Sequence, residues 1–519
     1  MSVPDKILIV DYGGQYAHLI SRRVRDLGVL CEILPHDSIH VDKLAGVKGI
    51  ILSGGPRSVG VNDSFRLADV LIPLIDNPEI PVLGICYGLQ LIGHYYGGSV
   101  TAADRKEYGN TTVELIEDSL LIDNKKKFNV WMSHGDQISH IESGFIVTAR
   151  SDNCPVVAME NSEKNIFAVQ FHPEVTHTEG GNAILGKFVN DICNIKVSNW
   201  QMENYLEILI EEIRNEVGSS KVLLGVSGGV DSTTAALILA EAIGPQLYLI
   251  FVDHGLLRKN EALEVKQAFT ELGIPNFNFV DASEIFLSKL NNITDPEEKR
   301  KIIGHTFIEV FEEAAVNISK TVGSIEYLAQ GTIYPDRVES GKAGTGTEVI
   351  KSHHNLTLPD NMTLKILEPL KDLYKDEVRQ LGMLLNMPSI LLNRFPFPGP
   401  GLAVRILGNI TRQQIQILQE ADHIFLTELL NSPERDKVWQ AFAALLPVKS
   451  VGVKGDNRSY GQIVALRAVA SKDGMTADFS QLSMNLLGRI STKIINEIPE
   501  ITRVLYDIST KPPATIEFE

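Results

Sequence analysis

The run from Lys221 to Thr233, Lys-Val-Leu-Leu-Gly-Val-Ser-Gly-Gly-Val-Asp-Ser-Thr, constrains this chain more than any other stretch. It reads as an apolar strand over Val222 to Val226, a glycine turn, and an Ala/Leu/Ile-rich helix from Thr234 to Ala242. Such a turn presents backbone N–H groups at a helix N-terminus, where the dipole and the unpaired donors favour a phosphate. Gly228 and Gly229 let the main chain approach an anion with no side chain between them. Ser227 and Ser232 add hydroxyls, and Asp231 can hold Mg²⁺ or orient the loop. No Lys follows the glycines at the Walker A spacing. A bare Gly-Gly turn before a helix is structural more often than not. The full string, Ser227-Gly228-Gly229-Val230-Asp231-Ser232, set between a strand and a helix, is much sharper and points to a phosphate site.

Length and composition set the frame around that loop. A chain of 519 residues suits two to four domains, and 44% hydrophobic with 22% charged residues is an ordinary globular balance. The net charge of −17 argues against a nucleic-acid or anionic-membrane surface, so anionic substrates need dedicated local cations. The four cysteines (Cys31, Cys86, Cys154, Cys193) form no Cys-x-x-Cys pair and no disulfide framework, which fits a reducing, cytoplasmic setting. No secretory signal is expected from Met-Ser-Val-Pro-Asp-Lys, and no apolar run approaches the ~20 residues needed to span a bilayer.

Along the chain, Ile7–Val10, Gly49–Leu52 and Pro81–Ile85 are dense apolar runs bounded by Gly or Pro, the pattern of buried parallel strands. A polar helical stretch around Asn199–Val217 reads as a connector. A second α/β block opens at Lys221, with strands near Val222–Val226, Leu247–Val252 and Asn276–Val280 and a helix over Asn260–Leu272. Gly341–Asn361 lacks apolar periodicity and reads as a mobile loop. After Arg394, Phe-Pro-Phe-Pro-Gly-Pro-Gly breaks regular structure and opens a third segment. The expected domains are therefore 1–198, 199–394 and 395–519.

A second motif carries chemistry. Gly84-Ile-Cys86-Tyr-Gly88 follows an apolar strand and precedes Leu89–Gly93. This is a Gly-x-nucleophile-x-Gly elbow, whose sharp strand-to-helix turn leaves the sulfur at a helix N-terminus, where the dipole favours thiolate. A thiol nucleophile needs a base, and the base needs an orienting group. Phe171-His172-Pro173-Glu174 follows the strand Ile166–Val169 and offers both, with His172 and Glu174 able to project to one side. Leu52-Ser-Gly-Gly-Pro56 ends another strand and can supply oxyanion donors together with the amide after Cys86.

These motifs carry resemblances. The Ser227–Ser232 loop resembles that of N-type ATP pyrophosphatases, which split ATP between the α and β phosphates. Val10-Asp-Tyr-Gly-Gly-Gln-Tyr16, Leu52–Pro56, Gly84–Gln90 and Phe171–Glu174 resemble a class I glutamine amidotransferase domain. That resemblance implies Cys86 as nucleophile, His172 as base, Glu174 as its orienter, and Gly55 and the Tyr87 amide as oxyanion donors. Over essentially the whole chain, Lys351-Ser-His-His-Asn355, Phe397-Pro-Gly-Pro-Gly-Leu-Ala-Val-Arg405, Val451–Tyr460 and Lys511–Glu519 look like the glutamine-hydrolysing GMP synthetase family. It implies an α/β chain: a class I amidotransferase domain, a parallel-sheet ATP pyrophosphatase domain, and a C-terminal α+β dimerisation domain.

The family further implies adenylation of xanthosine 5′-monophosphate (XMP) at its C2 oxygen by ATP with Mg²⁺, amination by ammonia from glutamine, and a homodimer. Arg337, Gln440, Asp456, Arg503, Lys511, Ile516 and Glu517 are expected around XMP, with Arg503 and Lys511 on its phosphate. Lys351, His353 and His354 are expected on a lid over ATP, and Asp231 near Mg²⁺. Phe518 stands where the family usually has Trp, and Phe395 where a His is common. The sequence leaves two alternatives open. One is another amidotransferase-coupled pyrophosphatase; NAD synthetase shares the loop, but its nitrilase-type Glu-Lys-Cys set is not found here. The other is a non-catalytic sensor, which predicts lesions in a catalytic set that is intact.

Overall fold

A computed structural model of the chain describes residues 5–59, 66–122, 126–142, 144–195, 200–336, 364–454, 457–471 and 476–519. Arg337, Lys351, His353, His354 and Asp456 lie outside the described residues. The chain divides into two compact units, residues 1–204 and 205–519. No described helix is long and apolar enough to cross a membrane.

In the first unit the strands are β1 (Lys6–Asp11), β2 (Cys31–Pro35), β3 (Val47–Leu52), β4 (Val82–Ile85), β5 (Ser99–Leu115), β6 (Lys127–His140), β7 (Ile146–Arg150), β8 (Ala158–Asn161) and β9 (Ile166–Val169). They form one sheet in the order β2-β1-β3-β4-β9-β8-β7-β5-β6. From β2 to β9 the neighbours run parallel, and from β9 to β6 antiparallel. Every residue of β4 and β9 is buried, because both faces of the parallel half are covered. That is why these strands show in the sequence as unbroken apolar runs. The β5–β6 hairpin lies at the sheet edge, where β6 alternates buried and half-buried residues with the two-residue period of a strand.

The second unit holds a parallel sheet ordered β12-β11-β10-β13-β14, built from β10 (Val222–Gly225), β11 (Leu247–Asp253), β12 (Phe277–Asp281), β13 (Tyr327–Ala329) and β14 (Lys365–Leu367). A second sheet pairs β15 (Gln440–Lys454) antiparallel with β16 (Asn457–Ala470), and β16 with β17 (Asp478–Phe479). β18 (Ile501–Tyr506) joins β16 in parallel, which requires a crossover; the helix Met484–Glu497, capped by the Ser483 hydroxyl, supplies it. The helix Pro296–Val322 starts in the same way, with the Asp295 carboxylate accepting from Glu298 N and Pro296 where no N–H is needed.

The expected boundary near residue 394 is not a gap in packing. One apolar core runs from Leu223 and Ile250 of the parallel sheet through Leu402 and Phe425 to Leu466 and Ile490. The buried Lys299 ties the two parts further, donating to Ile406 O at 2.8 Å and to the Glu519 carboxylate at 2.5 Å. Regular structure does break over 394–400, as the Pro/Gly pattern implies, but the chain folds back onto the parallel sheet of the same unit.

Candidate functional site

In the first unit, three consecutive features stand at the C-terminal ends of parallel strands, where open α/β sheets bind ligands. Cys86 follows β4, Ser53 and Gly54 follow β3, and His172 lies three residues beyond β9. Cys86 adopts φ 53°, ψ −101°, a strained conformation for a non-glycine residue, and caps the helix Tyr87–Tyr95. Its amide donates to Val169 O at 2.8 Å. The flanking glycines allow this turn. A Cβ on Gly84 would stand 2.7 Å from the Gly88 carbonyl, and one on Gly88 would stand 2.3 Å from Leu52 O.

His172 Nδ1 lies 2.7 Å from Glu174 Oε1, and both side chains are buried. Burial disfavours the imidazolium most strongly of any single effect, but the Glu174 charge together with the contacts to Cys86 and Glu174 outweighs it. The imidazole is thus held well above its ordinary value. The segment is fixed on several sides. Thr178 Oγ1 donates to His172 O (2.6 Å), His172 N donates to Trp131 O (3.0 Å), and Arg23 Nε donates to Glu174 O (3.0 Å). The second Glu174 oxygen is buried with no partner among the described residues. The Cys86 thiol contacts Ser133 O (3.7 Å), and Gln170 Nε2 donates to Cys86 Sγ (3.6 Å). The arrangement sets a thiol beside a buried imidazole that a carboxylate orients, a geometry suited to nucleophilic catalysis.

The expected oxyanion residues divide. Tyr87 opens the helix behind Cys86. Gly55 backs onto the Tyr12 and Tyr87 side chains, whereas Gly54 faces the reacting groups. A Cβ on Gly54 would lie 3.2 Å from His172 Cε1 and 3.8 Å from Cys86 Cβ. Gln170, Thr178 and Ser133 were not singled out in the sequence. The only signal for Gln170 was its place directly before Phe171-His172.

In the second unit the Ser227–Ser232 loop leaves β10 and opens the helix Val230–Ile243. Its hydroxyls hold the turn: Ser227 N donates to Ser232 Oγ (3.2 Å), Ser232 Oγ to Gly229 O (3.2 Å), and Gly229 N to Ser227 Oγ (3.3 Å). Gly228 has φ 72°, and a Cβ there would lie 2.5 Å from Val265. Two cations that the sequence did not single out as site residues meet the loop. Lys375 pairs with Asp231, and Arg394 donates to Gly228 O (3.0 Å) while pairing with Glu261. The other Asp231 oxygen, Oδ1, is buried without a partner among the described residues. An unpartnered carboxylate oxygen beside a phosphate-type loop suits a hard cation such as Mg²⁺.

The C-terminal tail assembles part of the expected nucleotide set. Glu517 receives a bidentate pair from the fully buried Arg405 (3.0 and 2.9 Å) and a bond from Gln440 Nε2 (2.8 Å). Arg467 holds the tail by donating to Ile516 O (2.8 Å) and Thr515 O (3.0 Å) and pairing with Asp507. Gln440, Ile516 and Glu517 are therefore brought together. Lys511 is fixed through backbone bonds with Ala477, and Arg503 is exposed on β18. Phe518 meets Phe442 edge-on at 6.3 Å, and the Arg435 guanidinium lies 4.1 Å over the Phe395 ring.

Family models place the same segments. Glutamine amidotransferase class-I matches residues 8–192, NAD synthase matches 202–301, and GMP synthase C terminal domain matches 427–518. The chain is 50% identical over 516 residues to GMP synthase (glutamine-hydrolyzing) of Thermosipho melanesiensis, with 99% of both chains covered. It is 50% identical over 517 residues to the enzymes of that name from Aquifex aeolicus and Campylobacter jejuni, again with 99% of both chains covered. The chain belongs to the glutamine-hydrolysing GMP synthases.

Proposed function

We propose that this chain makes GMP from XMP, ATP and glutamine. The observation that carries the reading is the pairing, in one chain, of a buried Cys86–His172–Glu174 set with an intact Ser227–Ser232 loop. At the first site the Cys86 thiolate attacks the glutamine side-chain amide. His172 gives a proton to the departing ammonia, Glu174 holds the imidazole, and water hydrolyses the glutamyl thioester to glutamate. Oxyanion charge falls to the Tyr87 amide and the Gly54–Gly55 backbone.

At the second site the XMP C2 oxygen attacks the α-phosphate of ATP and releases pyrophosphate. Ammonia then adds at C2, loses a proton, and AMP departs. Ser227, Gly228, Gly229, Val230 and Ser232 cradle the phosphates, and Asp231 is the residue fitted to hold Mg²⁺. Bound Mg²⁺ supplies charge neutralisation on the pyrophosphate. Gln440, Ile516 and Glu517 face the nucleotide, and Arg503 and Lys511 serve its phosphate. Arg337 and Asp456 complete this set by family motif, and Lys351, His353 and His354 belong to a lid over ATP. The domain reading remains 1–198, 199–394 and 395–519, with a cytoplasmic homodimer formed through the last.

The test is AMP and pyrophosphate release from ATP, Mg²⁺ and glutamine, with XMP present or withheld. XMP-dependent AMP formation with matching GMP supports the assignment. AMP release indifferent to XMP refutes it.

A further inference from the structure

Behind the Cys86 site, Glu107 on β5, His134 on β6 and Cys154 form a buried cluster whose side-chain ligand atoms lie within 4.8 Å of one another. His134 Nδ1 is 2.9 Å from Asp136 O, and Nε2 is 3.2 Å from Glu107 Oε2. A backbone carbonyl only accepts, so Nδ1 donates to Asp136 O and Nε2 is the nitrogen that faces Glu107. The other Glu107 oxygen accepts from Ser151 Oγ (2.7 Å) and Asn153 Nδ2 (3.3 Å). Burial pushes the Glu107 carboxyl up, but the bonds from His134, Ser151 and Asn153 outweigh it and leave it below its ordinary value. Cys154 is neutral. Burial pushes its thiol up to about 12, and its hydrogen points at Val156 O.

A buried pair of this kind is weak as a source of stability, because desolvation offsets its attraction. Here the pair is joined to the nucleophile by two routes. Asp136 O accepts from His134 and also from Gln90 Nε2 (2.9 Å); Gln90 Nε2 meets Gln170 Oε1 (3.2 Å), and Gln170 reaches Cys86 Sγ. Ser133, the neighbour of His134 on β6, sets its carbonyl against the same sulfur. We propose that His134, clamped between Glu107 and Asp136 O, is a positioning residue for Cys86, fixing the Ser133–Asp136 backbone against the nucleophile. The proposal rests on the reading of Cys86 as the glutaminase nucleophile.

The test uses full-length His134→Leu, Glu107→Leu and Glu107→Gln, with Cys86→Ala as the check on the underlying reading. Glutamine-dependent and ammonium-dependent GMP formation are measured, together with Cys86 labelling by a glutamine-shaped chloroketone and by iodoacetamide. A misplaced reactive group costs on the order of 10²-fold, so His134→Leu and Glu107→Leu should lower kcat/KM for glutamine by about that factor. Chloroketone labelling should fall in parallel, while ammonium-dependent synthesis and iodoacetamide labelling hold. Glu107→Gln should stay close to wild type, because its amide oxygen keeps Ser151 and Asn153 while its NH₂ donates to a neutral His134 Nε2. Wild-type glutamine kinetics in His134→Leu would overturn the proposal. So would Glu107→Gln falling as far as Glu107→Leu, or one divalent metal per chain that Glu107→Leu loses. Retained glutamine use by Cys86→Ala would instead overturn the glutaminase reading itself.

Discussion

Replacing Glu174 by Gln keeps the shape of the Cys86 site and removes one charge. The carboxylate oxygen sits 2.7 Å from His172 Nδ1 in a buried setting, so the imidazolium that pairs with the Cys86 thiolate, before its proton passes to ammonia, is stabilised at short range. Charges centred about 4 Å apart at an effective dielectric near 20 attract by about 4 kcal/mol. At 1.36 kcal/mol per decade, that is on the order of 10³ in rate. The result is close to the roughly 10⁴ lost when a buried triad loses its orienting carboxylate. The sign with pH follows from His172. Burial lowers its proton affinity and Glu174 raises it, with the net above the ordinary value. Stability from this pair is therefore present below the unfolded value and lost as pH rises through the folded one. In Glu174→Gln the imidazole loses the largest of the effects that favour its charged form, and that contribution disappears. Glutamate release and GMP formation should fall about 10³-fold with glutamine and stay unchanged with ammonium salts. A correctly folded variant that loses less than about tenfold would refute the reasoning.

Four further outcomes are expected. Cys86→Ala abolishes glutamine use but keeps ammonium-dependent synthesis; loss of both activities together would sink the two-site reading. Asp231→Ala removes AMP release with either nitrogen source, checked by pyrophosphate assay, and retained synthesis would refute its role. Gly88→Ala forces a Cβ to 2.3 Å from Leu52 O, and overpacking of this kind costs about 1–3 kcal/mol, read as a lower melting temperature. Burial lowers His254 from 6.5 to about 4, so its unfolded form binds more protons in that window and stability falls as pH drops through it. The gap is worth about 3 kcal/mol at full protonation, and His254→Asn, which keeps an acceptor for Leu256 N, should flatten the acid limb of a denaturation series by about that amount.

Much of the chemistry was legible in the chain because it lies in contiguous strings. Gly84–Gly88, Phe171–Glu174 and Ser227–Ser232 each combine a strand, a turn and a functional side chain within a few residues, and local geometry fixes such units. Buried parallel strands were equally visible, since both faces are apolar. The β5–β6 hairpin was not, because its polar alternation at a sheet edge gives no unbroken apolar run. Nor could the sequence show that residues 395–519 share a core with the second α/β block. That depends on contacts such as Lys299 with Glu519, which are more than 200 positions apart.

The sequence alone determined where the strand–turn–helix units that carry Cys86, His172 and Ser227–Ser232 lie, since these are local properties of side-chain order and glycine placement. Tertiary structure decided what surrounds them. Gln170 and Ser133 O at the thiol, Lys375 and Arg394 at the phosphate loop, and Arg405 on Glu517 all come from distant parts of the chain. Burial and Coulomb interactions act through space, so the state of His172 or Glu107 depends on neighbours that only the fold brings near.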